Sequence, residues 1–362
     1  MYFYMRKIFI IDLVTLSLCA TLLLFLGIGV FFSGNDSFSE VENRPLSAFP
    51  EFNIDALMDG KFFLGLGSFY SDRIPYRLKF VRLKGALERS LGKGENNGVL
   101  LIDSDTLVQR CEYESTAILE KNLRGIAANN AKLIAVPRSV DVLTESEDAA
   151  GVRDIVYSGA PDGTELYRRL CAAEDAGEQV YYRTDHHLSY DGAYILYAYL
   201  CESLGVTPYP KDGFEKQLAS DSFLGTSYSK SGALISTADS VYLPRYEGDT
   251  EFDICCLDSG CALNSFYDSS FLSKKDKYSV FLGGNHGALT VRSRSAQDRP
   301  RLLLIKDSFA NAVIPMLARH FDITVRDPRY DATPISGEYD AALVLCGIDT
   351  IATTPFAFSI EK

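Results

Sequence analysis

"RLLLIKDSFANAVIPMLARHF", residues 301–321, is the stretch from which we predict the fold. Its apolar run at 302–305 predicts a buried strand, which ends in the polar turn Lys306-Asp307-Ser308. Apolar side chains at 309, 313, 316 and 317 follow at helical spacing, and Pro315 is expected to kink that helix. A strand, a turn and a helix in succession are typical of α/β proteins, so we expect a parallel sheet with Ser308 at a strand-to-helix junction.

The same alternation of strands and helices continues through most of the chain. Further strands are predicted at "KLIAVP" (132–137), "QVYY" (179–182), "YSVFLGGNH" (278–286), "DITVRD" (322–327) and "YDAALVLCG" (339–347). Helices are predicted at 116–128 and 191–205, the second with Ser189 as its cap and Gly205 as its end. Two helices divided by Pro75 at 54–91 and a hairpin at 97–109 come earlier, and 214–263 is predicted to be a strand-rich insertion.

The N-terminus predicts a membrane span. Residues 8–32 form an apolar run long enough to cross a bilayer, with Asp12 as its only charge. Arg6 and Lys7 precede it, which favours a cytoplasmic N-terminus. We therefore expect a cytoplasmic segment (1–7), a single-pass signal anchor in the cell membrane (8–32), a linker (33–50) and an extracellular catalytic domain (51–362). A cleaved signal peptide is the alternative.

Composition excludes some functions. The formal net charge of −12 argues against a nucleic-acid binder, which needs a basic surface. The eight cysteines do not follow metal-ligand spacing, and only "CCLDSGC" (255–261) is dense enough to suggest a local disulfide. The remaining patterns point to chemistry carried by side chains.

Ser308 is placed where a nucleophilic serine would be useful. At the start of a helix its own N–H and those of its neighbours point towards any anion that forms, as the tetrahedral intermediate of acyl transfer does. The alternative is that Ser308 merely caps the helix.

"YYRTDHHLSYDG", residues 181–192, holds two of the four histidines. A serine nucleophile needs a base, and the base needs an orienting group. In an extended segment Asp185 and His187 would point the same way and His186 the other way, which favours His187 as the base and Asp185 as its partner. A metal site using both histidines, or a capping turn, is the alternative.

"FLGGNHG", residues 281–287, is the third element. Its glycines would let the backbone approach a ligand closely, and Asn285 brings a side-chain donor. The stretch predicts either part of an oxyanion hole or a simple glycine turn.

These elements, in this order, resemble the DHHW family of bacterial surface proteins, which is related to alginate O-acetyltransferases and more distantly to SGNH hydrolases. The likeness is carried by "VENRPLSAFPEF" (41–52), "RIPYR" (73–77), "GKGENNGVLL" (92–101), "YYRTDHHLSYDGAY" (181–194), "FLGTSYSKSG" (223–232), "KDKYSVFLGGNH" (275–286), "LLLIKDSFANAVIPMLARHF" (302–321) and "DPRY" (327–330). Leu188 stands where the family has the tryptophan of its motif. The resemblance implies an SGNH-hydrolase-like α/β fold.

It also implies roles for single residues. Ser308 would be the nucleophile, His187 the general base and Asp185 its orienting acid, without a metal ion or other cofactor. The residues expected around them are Gly284, Asn285 and Gly347 for the oxyanion or acyl group, and Tyr228, Arg329 and Arg138 for the acceptor.

The function implied is transfer of an acetyl group, through a serine acyl-enzyme, onto an extracellular polysaccharide or cell-wall glycopolymer. The acyl donor would be a membrane-bound O-acyltransferase. An SGNH-type carbohydrate esterase and a non-catalytic glycan-binding scaffold subunit are the alternatives.

Overall fold

The computed structural model describes residues 2–30, 32, 37–39, 44–110, 113, 115–129, 131–144, 147–232, 237–355 and 359–360. The chain divides into two compact units, Met1–Lys93 with Gly232–Leu234, and Gly94–Ser231 with Ile235–Lys362. The predicted start of the catalytic domain at residue 51 stays a prediction, and so does the linker, part of which lies outside the described residues.

The first unit consists of helices and one small strand pair. Its elements are α1 (Tyr2–Gly29), β1 (Phe38–Ser39), β2 (Arg44–Pro45), α2 (Ile54–Met58), α3 (Lys61–Arg73) and α4 (Arg77–Ser90). Helix α1 is long and apolar enough to cross a membrane between Asp12 and Gly29, and none of that stretch is buried. A cleaved signal sequence would share these properties. Pro75 separates α3 from α4 as predicted, and Gly60, at φ 79°, adds a break between α2 and α3.

The strands of the second unit are β3 (Glu95–Asn96), β4 (Val99–Ile102), β5 (Thr106–Gln109), β6 (Lys132–Val136), β7 (Glu215–Phe223), β8 (Asp239–Arg245), β9 (Phe252–Cys256), β10 (Cys261–Leu263), β11 (Ala288–Ser293), β12 (Arg301–Lys306), β13 (Asp322–Arg326) and β14 (Ala341–Gly347). Its α-helices are α5 (Ala117–Ala128), α6 (Ser139–Leu143), α7 (Glu147–Gly159), α8 (Asp162–Asp175), α9 (Tyr190–Ser203), α10 (Thr226–Ser231), α11 (Ile314–Leu317) and α12 (Ile348–Thr353). Its 3-10 helices are Lys211–Gly213, Ser269–Ser273, Lys277–Val280 and Ser308–Ala312.

A seven-stranded sheet in the order β10-β9-β11-β13-β12-β14-β6 forms the centre of this unit. Strands β13, β12, β14 and β6 pair in parallel, and β11, β9 and β10 continue the sheet in antiparallel pairing. Two smaller sheets, β3-β4-β5 and β7-β8, complete it. This arrangement confirms the predicted α/β fold. The predicted insertion is rich in strands, but only β7 and β8 form a separate sheet, because β9 and β10 extend the central one.

Both faces of the central sheet are covered along β6, β12 and β14, which explains why these strands are almost continuously apolar. On β12 the side chains of Leu302 and Leu304 pack into one core cluster, whereas Leu303 and Ile305 pack into another on the opposite face. Helices α8, α9 and α11 contribute to the first cluster, and α5, α7 and α12 contribute to the second. Because β13, β12, β14 and β6 run in the same direction, the loops that follow them meet at one edge of the sheet, where ligands bind in α/β proteins.

Three local predictions were wrong. "QVYY" forms a single bridge, from Tyr181 to Leu188, rather than a strand. "YSVFLGGNH" forms a 3-10 helix and a turn, because its residues 282–284 have positive φ, which no strand allows. The helix after Ser308 is a five-residue 3-10 helix followed by the short α11, and Pro315 lies at the start of α11, where its missing N–H costs nothing, instead of kinking it.

Candidate active site

Ser308 follows β12 directly, and its position is fixed by Asp307. The buried carboxylate of Asp307 accepts hydrogen bonds from the N–H of Phe309 (3.0 Å), the N–H of Gly347 (2.7 Å) and the hydroxyl of Thr350 (2.7 Å). These bonds tie the turn to the end of the neighbouring strand β14. Ser308 is left partly exposed at the carboxyl-end edge of the sheet.

His187 lies between Ser308 and Asp185. Its Nε2 is 2.8 Å from the Oγ of Ser308, and its Nδ1 is 2.5 Å from Oδ1 of Asp185. Both Asp185 and His187 are buried. The structure therefore brings together the three residues that the sequence singled out, in a hydrogen-bonded order in which the imidazole can take a proton from the serine and the carboxylate can hold the imidazole.

The carboxylate of Asp185 is held by four donors. Oδ1 accepts the N–H of His187 (3.0 Å) as well as its ring, and Oδ2 accepts the N–H (2.7 Å) and hydroxyl (2.8 Å) of Thr226. Burial alone would raise the pKa of Asp185, but the adjacent histidines and these hydrogen bonds outweigh it and lower that pKa well below its usual range. Asp185 is therefore ionised at neutral pH.

The pairing of Asp185 with His187 arises differently from our prediction. Residues 183–187 form a bend rather than an extended segment, so side chains do not alternate there. The bend is held by buried Asp239, which accepts from the N–H of Arg183 (3.0 Å) and from the N–H (2.8 Å) and hydroxyl (2.6 Å) of Thr184. As a result the ring of His186 does not point away but lies 4.0 Å from that of His187.

His186 is linked to the same carboxylate through Thr226. Its Nδ1 is 2.8 Å from Thr226 Oγ1, and because that hydroxyl donates to Asp185, Nδ1 must carry the proton that His186 gives to Thr226. Burial and the neighbouring His187 lower the pKa of His186 to about 4, so its ring is neutral at pH 7. Its Nε2 has no hydrogen-bond partner within the described ranges, and about a third of the side chain is exposed.

Asp185, His186 and His187 are also the cluster that could offer ligands to a metal ion among the residues that the structure describes. One potential ligand atom of each lies within 4.8 Å of the others. However, both ring nitrogens of His187 are within hydrogen-bonding distance of Asp185 and Ser308, so an ion here would have to replace those bonds. The arrangement suits proton transfer better than metal binding.

Tyr278, a residue without a predicted role, joins the base to the nucleophile. Its ring stacks on the imidazole of His187 at 3.8 Å between centroids and 11° between planes. Its hydroxyl donates to the backbone carbonyl of Ser308 (3.0 Å). One buried side chain thus fixes the distance between the two groups that must exchange a proton.

Ser308 itself offers the best placed donor for an oxyanion, since its N–H has no partner in the described part of the chain. Gly284 and Gly347 were both expected to contribute. The N–H of Gly284 donates to Phe281 (3.1 Å) and that of Gly347 to Asp307 (2.7 Å), so neither is free to bind an oxyanion. Gly347 is required for packing instead, because a Cβ there would lie 2.6 Å from the ring of Phe309.

A polar network lies behind Ser308 and holds Asn285. Buried Lys306 donates to Oδ1 of Asn311 (2.7 Å), lies 3.4 Å from Oδ1 of Asn285 and lies 3.6 Å from the buried carboxylate of Asp327. Burial lowers the pKa of Lys306, and Asp327 opposes that shift. Asn311 donates to the same Asn285 oxygen (3.2 Å), and the Nδ2 of exposed Asn285 has no hydrogen-bond partner among the described residues.

The three residues expected to bind the acceptor differ in exposure. Tyr228 is half-buried on α10, two residues after Thr226, and stays a candidate. Arg329 makes a two-point pair with Asp327 (2.9 and 2.7 Å). Arg138 is 5% exposed, with its guanidinium held by Asp141 (2.8 and 2.7 Å) and by the hydroxyl of Tyr113 (2.7 Å), so it is part of a structural cluster rather than a groove.

Leu188 lies in the main core cluster and is 2% exposed. Its side chain packs where α9 begins, so close to Gly192 that a Cβ on that glycine would lie 3.0 Å from it. The departure from the family motif therefore changes core packing and not the exposed side of the site.

The signals for the residues that we missed were present in the sequence. Tyr278, Thr226 and Asn311 all lie inside the motifs quoted above, at 275–286, 223–232 and 302–321. Each of them acts by positioning another group, so none of them completes a pattern of nucleophile, base and acid that the sequence would reveal.

Comparisons with known proteins support this architecture. Residues 164–325 match the family model described as DHHW protein. The search of curated proteins gives no match. The fold is similar to that of a DHHW family protein from Eubacterium siraeum, with a TM-score of 0.54 and 18% identity over 71% of this chain and 93% of that chain.

Two further solved structures are similar to this chain. PatB1 of Bacillus cereus, solved with a sulfonyl adduct, has a TM-score of 0.55 and 16% identity over 71% of this chain and 97% of that chain. The O-acetyltransferase domain of Pseudomonas putida AlgJ has a TM-score of 0.39 and 14% identity over 71% of this chain and 93% of that chain. The match to the family model and the fold shared with the Eubacterium siraeum protein confirm the resemblance of this chain to the DHHW family.

Proposed function

We propose that this chain is a membrane-anchored O-acetyltransferase that carries an acetyl group on Ser308 and passes it to a hydroxyl of an extracellular polysaccharide or cell-wall glycopolymer. The observation that carries the proposal is His187, whose two ring nitrogens lie 2.8 Å from the Ser308 hydroxyl and 2.5 Å from the Asp185 carboxylate. The resemblance to relatives of the alginate O-acetyltransferases supports acetyl transfer as the reaction.

The first half-reaction would acylate Ser308. Its Oγ attacks the carbonyl carbon of the acetyl donor while Nε2 of His187 takes the hydroxyl proton. The negative charge that develops on the carbonyl oxygen is stabilised by the N–H of Ser308 and the Nδ2 of Asn285. The intermediate collapses when His187 returns the proton to the leaving group, and ionised Asp185 stabilises the imidazolium between these steps.

The second half-reaction would release the acetyl group to the acceptor. A sugar hydroxyl attacks the acyl-enzyme, His187 accepts its proton, and the same proton returns to Oγ of Ser308 as the new ester leaves. We infer that a membrane-bound O-acyltransferase supplies the acetyl group, since α1 would hold the domain at a membrane surface. The proposed orientation has the N-terminus in the cytoplasm and the catalytic domain outside.

The test is covalent labelling of the full chain in detergent. Incubation with nitrophenyl acetate followed by mass spectrometry of the peptides should place one acetyl group on Ser308. A sulfonyl fluoride should block the same site. Ser308→Ala should abolish both reactions, whereas Ser222→Ala, which alters an exposed serine on β7, should label like the natural protein. Equal labelling of the Ser308→Ala protein would remove the assignment.

The fate of the acetyl group separates the two enzymatic alternatives. Acetyl groups that appear on an added oligosaccharide support transfer, whereas free acetate alone, at an unchanged rate when acceptor is present, would identify an esterase. Absence of any labelling in a folded protein, together with normal surface-polymer acetylation by the Ser308→Ala and His187→Ala variants in cells, would identify a scaffold.

A further inference from the structure

Helix α4 and the two residues that flank it carry an apolar stripe that no described residue of their unit covers. The stripe consists of Tyr76, Phe80, Leu83, Leu87 and Leu91. Phe80, Leu83 and Leu87 lie within α4 at a spacing of three and four residues, which puts them on one face of the helix, and Tyr76 and Leu91 flank its two ends. The exposed fractions of the five side chains run from 50% to 86%. A run of five large apolar side chains in this position differs from the single exposed leucines that are normal on a protein surface.

The opposite face of α4 is packed. Gly85 is buried, and Val81 lies so close to Gly232, in the same unit, that a Cβ on that glycine would be 3.1 Å from it. The helix is therefore held by one face, and its stripe points outward.

The charge of α4 is opposite to that of the whole protein. Between Arg77 and Ser90 the helix has five basic residues and one acidic residue, a net charge of +4, in a chain whose net charge is −12. At 100° per residue, Lys79 lies on one border of the stripe and Lys84 on the other. An apolar stripe bordered by basic side chains is typical of helices that lie in the surface of an anionic bilayer, where the long side chains reach the headgroups.

The helix begins where the apolar span ends. A Cβ on Gly29, the last residue of α1, would lie 2.5 Å from Pro75, two residues before α4 starts. Pro75 and Tyr76 line one apolar recess together with Leu24, Phe25 and Ile28 of α1. The stripe is thus continuous with the surface that a membrane-spanning α1 would present to lipid.

We propose that α4 is an interfacial helix, with its stripe inserted among the outer-leaflet lipids of an anionic phospholipid bilayer. The proposal rests on the proposed membrane anchor and adds a second lipid contact to it. By holding α4 flat on the bilayer, this contact would limit how far the unit that contains α1 can rotate away from the membrane surface.

The absence of tryptophan from the chain provides a direct test. Three single variants would each carry one tryptophan at an exposed position: Leu16→Trp in α1, Leu83→Trp in the stripe and Leu257→Trp between β9 and β10. Each full-length variant is placed in nanodiscs of phosphatidylglycerol, with or without bromine near the start of the acyl chains. We expect the Leu83→Trp protein to lose roughly half of its emission to the brominated lipid, because interfacial helices insert about 5–10 Å into the boundary of headgroups and acyl chains.

The three variants distinguish the possible results. Quenching at positions 16 and 83 but not at 257 supports the proposal. Quenching at 16 alone overturns it while leaving the anchor in place, and no quenching at 16 means that the anchor itself is wrong. A blue-shifted but unquenched Leu83→Trp would show that protein covers the stripe, a second copy or a partner, which also overturns the lipid assignment.

A second comparison tests whether the basic side chains of Lys79 and Lys84 contribute to binding of anionic lipid. Lys79→Gln with Lys84→Gln, made in the Leu83→Trp protein, leaves the apolar stripe unchanged. We expect the Leu83→Trp protein with both lysines to be quenched more strongly in phosphatidylglycerol than in phosphatidylcholine. The double variant should be quenched equally in both lipids. Equal quenching of the lysine-bearing protein in both lipids would contradict the anionic preference.

Discussion

Adding a single methyl group at Gly225, by the Gly225→Ala substitution, should disable the candidate site. A Cβ on Gly225 would lie 2.3 Å from Cβ of Asp185 and 2.4 Å from its Oδ2. Carbon atoms in proteins pack at roughly 3.5–4.0 Å, so the Gly225→Ala substitution requires Asp185 to move by about 1 Å. Glycine is needed here for close approach and not for its backbone angle, since the φ of Gly225 is not positive.

The cost of that shift can be estimated from what Asp185 holds. Its Oδ2 accepts two hydrogen bonds from Thr226 at 2.7 and 2.8 Å, and its Oδ1 accepts the ring of His187 at 2.5 Å. A displacement of about 1 Å in a catalytic group costs on the order of 100-fold in rate. Overpacking a buried site costs about 1–3 kcal/mol of stability. We therefore expect acylation of Ser308 to fall about 100-fold while the protein remains folded.

The assay is the rate of acetyl labelling of Ser308, measured beside the free energy of unfolding in urea. Gly125→Ala on α5 is the matched control, because a Cβ there meets no atom within 4 Å. It should leave the labelling rate unchanged and raise stability by up to about 1 kcal/mol, as alanine does in a helix. A Gly225→Ala protein that labels at the natural rate would show that Asp185 does not control the reactivity of Ser308.

Three further predictions concern the surroundings of the site. Tyr278→Leu removes the ring that stacks on His187 and the hydroxyl that binds the carbonyl of Ser308, and should lower kcat more than it changes KM. Tyr278→Phe, which keeps the ring alone, should recover part of the loss in the same kinetic assay. Burial lowers the pKa of His186 and of His320 to about 4, so the unfolded chain binds more protons than the folded chain between pH 6.5 and 4. The free energy of unfolding should therefore fall as the pH drops through that window. Urea titrations at several pH values check this, and His320→Gln should make the fall less steep. Lys306→Met leaves the side-chain oxygen of Asn311 without its 2.7 Å donor and should cost about 1–3 kcal/mol, measured by urea unfolding against the exposed Lys230→Met.

The sequence was sufficient to predict the parallel strands β6, β12 and β14 of the central sheet because these strands are buried on both faces. "KLIAVP", "RLLLIKDS" and "YDAALVLCG" have apolar residues at consecutive positions, a pattern that few other structures explain, and all three pair in parallel. "YSVFLGGNH" has a similar composition but folds as a 3-10 helix and turn. The positive φ of Leu282, at 62°, cannot be predicted from the residue, since leucine rarely adopts it.

For the site, the residue types that carry chemistry were predictable and their supports were not. Asp185, His187 and Ser308 stand out because few other combinations could serve acyl transfer. The groups that hold them lie far away in the chain: Asp239 is 55 residues from Thr184, whose N–H and hydroxyl it binds. A carboxylate with such a role has no local pattern, because two of its partners are backbone N–H groups, which every residue except proline has.

Base and nucleophile come from different parts of the fold, and this decides how the site is built. His187 lies on a bend held by Asp239, whereas Ser308 lies at the end of a strand in the central sheet. Movement between these two parts would lengthen the 2.8 Å contact on which proton transfer depends. Tyr278 lies on a third segment and contacts both groups, the ring of His187 through its face and the backbone of Ser308 through its hydroxyl. Since the carbonyl of Ser308 belongs to the main chain, this contact holds the nucleophile in place without occupying the hydroxyl that must react.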